Sequence, residues 1–244
     1  MKKVAISALL LYWLAPMASA LPPGVEPRAD KILADMSGYL GGLKDFSFHS
    51  EVTLEEPVSG LQVEITNGSD IFVHRPDKIR VSRKGDKGHH EAFYDGKLLS
   101  LVSPEQRVYA QSEVPASIEP MLDYAHQKLG MTFPLADLLF ADSHSVLGEH
   151  TESGFYAGEH SVDGVACDHL AFTQASGLEW QIWIEQGAQK LPRKFVIRHF
   201  EEPGSPRFQA LLSKWDTAPK FPANLFQFET PAGAHKVEMR GNKG

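Results

Sequence analysis

The chain has 244 residues and carries 31 acidic against 24 basic side chains, for a formal charge of −7. Nucleic-acid binding requires a basic stripe, so this balance disfavours a nucleic-acid partner, and none is expected. The single cysteine, Cys167, can form no intramolecular disulfide in an oxidising compartment; its flanks, Ala166 and Asp168, supply no cation to lower the thiol pKa, so it reads as a small buried hydrophobe.

The chain begins with Lys2 and Lys3, an apolar stretch from Val4 to Pro16, and Ala18-Ser19-Ala20. These are the charged, hydrophobic and small-residue regions of a secretory signal peptide, with cleavage expected after Ala20. Loss of the two lysines takes the formal charge from −7 to −9. No later segment approaches the roughly 20 apolar residues of a membrane span, and no cysteine stands at the cleavage point to carry a lipid anchor. The expectation is a soluble periplasmic monomer, with residues 21–244 forming one domain.

Ala29, Ile32, Leu33, Met36 and Leu40 recur at helical spacing before Gly41-Gly42, which predicts an amphipathic N-terminal helix. The period then changes to two: Phe46, Phe48, Val52 and Leu54 alternate with polar residues, as in a half-buried strand. Asn67-Gly68, Asp95-Gly96 and Asp163-Gly164 each suit a tight hairpin turn. Further strands are predicted over 61–65, 71–74, 78–83, 98–102, 165–172, 178–185, 193–201 and 208–215. Between them Ser117 opens a helical insert whose stripe, Ile118, Leu122, Ala125 and Leu129, stops at Gly130, and a second short helix is predicted over 134–140.

Chemistry is harder to find. The eleven histidines show no metal-ligand spacing: His89 and His90 are adjacent, and His144 and His150 are six apart. There is no Gly-x-Ser-x-Gly elbow, no Ser-x-x-Lys and no phosphate-cradling glycine loop. No catalytic residue, metal or cofactor is expected, and the chain reads as a non-enzyme. Its marked feature is apolar and aromatic, with Trp180, Ile182 and Ile184 on one face of a strand and Gln181, Trp183 and Glu185 on the other.

Several segments resemble a known family. Val73-His74-Arg75-Pro76, Tyr94-Asp95-Gly96-Lys97 and Leu99-Ser100-Leu101-Val102-Ser103-Pro104 are similar to the strand and turn pattern of LolA/LolB-type periplasmic lipoprotein carriers. Trp180 to Glu185 with Leu191-Pro192-Arg193-Lys194, and Phe226 to Ala234 as a C-terminal strand and turn, are similar to two more of its segments. Pro134 to Leu139 and Asp163 to Leu170 resemble a branch of predicted periplasmic proteins of unknown function within that superfamily.

The resemblance implies a mainly β (α+β) fold, a half-open antiparallel β-barrel of about ten strands with an N-terminal helix and one or two inserted lid helices. It also implies an apolar cavity that binds or carries a hydrophobic ligand, a lipid-like small molecule or an acyl chain. Phe46, Phe48, Val52, Leu122, Leu138, Leu139, Trp180 and Ile182 are the expected lining residues. The alternative from the same superfamily is an envelope sensing or adaptor module that binds another envelope protein.

Overall fold

The computed structural model describes residues 24–239; the signal peptide expected over residues 1–20 lies outside the described residues. Helix α1 (Pro27–Gly42) starts on a proline, tolerated in a first turn whose N–H groups have no helical partner. It buries Ala29, Leu33, Met36, Ser37 and Leu40 as one stripe. Six strands follow: β1 (Asp45–Val58), β2 (Leu61–His74), β3 (Lys78–Gly85), β4 (His90–Tyr94), β5 (Leu98–Ser103) and β6 (Val108–Glu113). A helical crossover comes next, consisting of α2 (Ile118–Leu129), one 3-10 turn at Ala136–Leu139, and α3 (Ser143–Gly148). The second series is β7 (Thr151–Val162), β8 (Val165–Gln174), β9 (Leu178–Glu185), β10 (Pro192–His199) and β11 (Arg207–Asp216), and the two-residue β12 (His235–Lys236) closes the chain.

All twelve strands belong to one sheet in the order β12-β6-β5-β4-β3-β2-β1-β11-β10-β9-β8-β7. The pairings are antiparallel apart from the short parallel bridge of β12 on β6. The two series meet where β1 pairs with β11, and no ladder joins β7 to β6 or β12 among the described residues. The fold is therefore a half-open antiparallel barrel with an N-terminal helix and helical inserts. β4, β6, β7 and β12 are the strands that alternation did not reveal.

Cross-strand partners point to one side of a sheet, so the register defines two faces. The inner face carries Phe46, Phe48, Ile71, Val73, Ile79, Tyr94 and Leu99 from the first series, and Leu170, Phe172, Trp180, Ile182, Phe195 and Ala210 from the second. All of these are buried in one cluster with Leu33, Met36 and Leu40 of α1 and Ile118, Met121 and Leu122 of α2. The chain after β11 crosses the outer face of the first series, where Phe221 meets Phe72 edge-on at 6.1 Å and Phe228 packs on Phe93 and Tyr109.

Four local expectations are corrected. Asn67-Gly68 is not a turn; both residues lie inside β2, with Gly68 opposite Glu51 and the His49 ring 3.4 Å from where a Cβ would stand. The hairpin turns instead at Ser59 and Gly60, with φ of 51° and 83°, the left-handed pair that a two-residue loop requires. Asp95-Gly96 and Asp163-Gly164 do turn, between β4 and β5 and between β7 and β8. The helix expected over 134–140 shortens to one 3-10 turn, because Pro134 and a left-handed Leu135 (φ 65°) precede it. Ser117 makes no side-chain cap, and the Ile118 N–H donates instead to the Pro76 carbonyl at 2.9 Å. Finally, residues 226–234 form no strand; they lie as turns on the outer face, with Phe226 buried against Phe221.

The segment before α1 covers the β7 edge through a parallel bridge between Val25 and Gly154, with Glu26 N donating to Gly154 O at 2.8 Å. A Cβ at Gly154 would collide with the Phe172 ring, which stacks on Trp180 at 4.0 Å. Gly154→Ala is expected to destabilise the fold by about 1–3 kcal/mol, the usual cost of overpacking, as read by urea denaturation.

Candidate functional site

The inner face is the candidate site, and it divides into a covered and an uncovered part. In the covered part, the 3-10 turn and the two inserted helices are tied to the N-terminal helix and the sheet by polar contacts. His144 of α3 bonds Asp30 of α1 through Nε2 at 2.7 Å, and its N–H donates to Ser37 Oγ at 2.9 Å. Glu119 on α2 accepts the Ala141 N–H at 2.7 Å. The Tyr94 hydroxyl donates to the Pro115 carbonyl at 2.6 Å, just before α2. Burial, with help from Asp77 and Asp95, pushes that phenol up to about 12, so it stays a donor throughout the neutral range.

Arg75, at the end of β2, reaches under this cover. Its Nη1 donates to the Leu139 carbonyl at 2.7 Å and its guanidinium lies 5.5 Å from the Phe46 ring centroid. Its Nε and Nη2 are buried without a hydrogen-bond partner among the described residues, as is Trp180 Nε1. Burial holds the guanidinium below its usual pKa, with the Glu119 carboxylate acting in the opposite direction. Unpaired buried donors are rare, and here they stand beside the aromatic side chains of the inner face.

Seven of the eight expected lining residues are buried here: Phe46, Phe48, Leu122, Leu138, Leu139, Trp180 and Ile182. Val52 packs against the same cluster half-exposed. Phe48 stacks on Trp215 at 4.4 Å, and Trp180 contacts Phe172 and Phe195. Cys167 is fully buried on the other side of β8, and burial pushes its thiol pKa up.

The uncovered part lies further along β1 and β2. In register beyond Phe46, Phe48 and Ile71, the same face presents Val52, Leu54 and Ile65, then Val63, Val58 and Leu61. Exposure rises along this row to 36% at Leu54, 38% at Val63, 49% at Val58 and 71% at Leu61. Phe208 of β11 and Ile197 of β10 continue the row sideways. Ser50, Ser69, Asn67 and Glu56 stand among them in the same register, Glu56 with its carboxylate held by Lys87. Reading Asn67-Gly68 as a turn had placed Leu61, Val63 and Ile65 on a separate strand from Ile71 and Val73; counted as one strand, their two-residue period aligns them. Trp215 joins this face although alternation along β11 points it to the other, because the left-handed Lys214 (φ 52°) bulges the strand.

The family model described as "Predicted periplasmic protein (DUF2092)" matches residues 29–240. The chain belongs to this family. No curated protein matches the chain. Among solved structures, this DUF2092 chain is similar to the Mycobacterium tuberculosis lipoprotein LppX at 16% identity and a TM-score of 0.46, covering 78% of this chain and 97% of that one. A LolA superfamily protein from Nitrosomonas europaea aligns at 11% identity and a TM-score of 0.38, over 82% and 97%. Pseudomonas aeruginosa MucB, in its complex with MucA, aligns at 15% identity and a TM-score of 0.47, over 86% and 63%. At these identities the likeness is one of fold. No described helix of the DUF2092 chain is long and apolar enough to cross a membrane.

The Arg75 contact generates a test. In Arg75→Lys the ammonium cannot reproduce the guanidinium fork, and the bond to the Leu139 carbonyl is lost. Amide hydrogen exchange over residues 136–141 is expected to accelerate by about tenfold or more, the equivalent of one charged hydrogen bond, while exchange in β9 and β10 stays near the parent rate.

Proposed function

We propose that this protein is a soluble periplasmic binder or carrier that holds a hydrophobic, lipid-like or acyl-bearing ligand on the inner face of its open sheet. The observation that carries this reading is the uncovered apolar row. One register of β1 and β2 runs from the buried Phe46 and Ile71 to the exposed Leu61 without changing face. An acyl chain laid along Val52, Leu54, Ile65 and Val63 gains about 0.8 kcal/mol for each methylene removed from water. Its inner end would reach the cover formed by Leu122, Leu138 and Leu139, close to the unpaired donors of Arg75 and Trp180. The eight lining residues keep their role in this reading, with Phe46, Phe48, Trp180 and Ile182 forming the floor. The description of the family as periplasmic and the likeness to a lipoprotein and a LolA superfamily protein agree with it.

A second reading, an adaptor that binds another envelope protein, draws on β7. This edge strand leaves Phe155 56% exposed and, outside the Val25–Gly154 bridge, has no strand partner on this side among the described residues; an uncovered stretch of edge is a template for strand addition. The solved complex of MucA with MucB is one case of this fold class meeting a protein partner.

Native mass spectrometry and lipid extraction of the mature protein from its own periplasm separate the two. A stoichiometric acyl-bearing ligand is the expected result; an empty protein that also takes up no fluorescent fatty acid would overturn the carrier. Leu54→Glu combined with Val63→Glu is expected to abolish fatty-acid uptake and to shift stability by only about 0.5 kcal/mol per site, because both positions are exposed.

A further inference from the structure

The outer face of the second strand series carries a different kind of surface. The C-terminal segment packs on the outer face of the first series, and over β9, β10 and β11 there is a cavity of about 300 Å3. Val196 is its floor, only 6% exposed although it sits on the outer face. Trp183 and Phe200 are aromatic walls, and Arg198 and Arg207 enter from neighbouring strands.

The register makes the charge arrangement specific. Arg198 and Arg207 are direct cross-strand partners on β10 and β11, a placement that like charges disfavour. Neither guanidinium forms an ion pair among the described residues: Arg207 Nη2 donates to the neutral Gln209 Oε1 at 2.7 Å, and Arg198 lies 5.7 Å from the Phe200 ring. Glu55 reaches only the backbone N–H of Arg207, at 2.9 Å. Lys194, two residues before the floor, stands over Trp183 at 4.7 Å, and Trp183 in turn stacks on His169 at 3.9 Å. Burial first and then the charge of Arg207 hold the Lys194 pKa below its usual value, with Asp163 opposing. Glu179, the cross-strand partner of Arg198, is the one acidic side chain lining the cavity. Two cations, Arg198 and Arg207, thus line the cavity against one lining carboxylate, Glu179, with Glu55 held on the Arg207 backbone, on a chain whose formal charge is −7.

We propose that this cavity is a binding site for a phosphate group borne by a small ligand, with Arg198 and Arg207 gripping the phosphate and Trp183 and Phe200 flanking the group that carries it. Guanidinium forks match phosphate oxygens two at a time, and two forks from adjacent strands supply the charge that a phosphate monoester, rather than a single carboxylate, balances. The volume lies at the lower end for ligand pockets, which suits a headgroup or a sugar-sized ester and not an acyl chain. This site lies on the face opposite the acyl-binding surface and does not depend on it.

Isothermal titration of the mature protein at low ionic strength with inorganic phosphate and with glycerol 3-phosphate tests the proposal. A parallel arm measures co-sedimentation with phosphatidylcholine vesicles containing phosphatidic acid. Saturable 1:1 binding is expected, weakened roughly tenfold or more in Arg198→Ala and in Arg207→Ala, partly restored by lysine at either position, and lowered by added salt. Lys31→Ala, which removes an exposed cation paired with Asp35 on α1, controls for overall charge and is expected to bind like the parent. Binding of the soluble esters identifies a free phosphate ligand. Vesicle binding alone, lost in the arginine variants, identifies a lipid headgroup. No saturable binding in either arm, or equal binding by the parent and both alanine variants with unchanged near-ultraviolet circular dichroism, overturns the proposal.

Discussion

The fold depends on one face of a single long sheet being almost continuously apolar. Burying that face supplies the dominant stabilisation of the fold, and a twelve-stranded antiparallel sheet has more of it than its own curvature can hide. The chain answers with helices. The N-terminal helix lies against α3 and β7, and the crossover contributes α2, the 3-10 turn and α3. Their polar anchors, His144 to Asp30, Glu119 to Ala141 and Arg75 to Leu139, fix the cover over one half of the face. The rest of β1 and β2 extends past it.

That incomplete cover is what the proposed carrier role rests on. Along one register the apolar side chains pass from fully buried at Phe46 to largely exposed at Leu61, with Ser50, Ser69, Asn67 and Glu56 between them. Arg75 sits under the cover, where it holds the 3-10 turn and leaves two nitrogens unpaired beside Phe46. Such a group is costly to bury without partners, and in the proposed carrier it would meet a polar group at the inner end of the ligand.

The outer face is handled by other means. Over the first strand series the C-terminal aromatics cover it, and charged pairs such as Arg80 with Glu91 at 3.2 Å satisfy what remains. Over the second series no such segment packs on the cavity among the described residues, and Arg198 and Arg207 face each other without an ion pair. The sheet thus separates an apolar surface from a cationic one by its own thickness.

Much of the architecture was legible because it rests on local rules. The period change at Phe46, the turns at Asp95-Gly96 and Asp163-Gly164, and the stripe from Ile118 to Leu129 closed by the left-handed Gly130 all follow from side-chain spacing and φ preferences. The failures have physical causes too. Asn67-Gly68 has turn chemistry, yet β2 continues through it because both strand neighbours hold it in the ladder. β4, β6 and β7 have mixed sequences that become strands through their partners.

By itself, the sequence determined which residues are apolar, their period, and hence that an antiparallel sheet with a greasy face must form; those are consequences of neighbours within a few residues. Only the tertiary structure decided which part of that face the helices leave open, that Arg75 lies beneath the cover, and that Arg198 and Arg207 share one cavity. Each of these depends on strand register and crossover path, which are set by contacts between residues far apart in the chain, such as Arg75 and Leu139 or Leu54 and Phe208, and no local pattern encodes them.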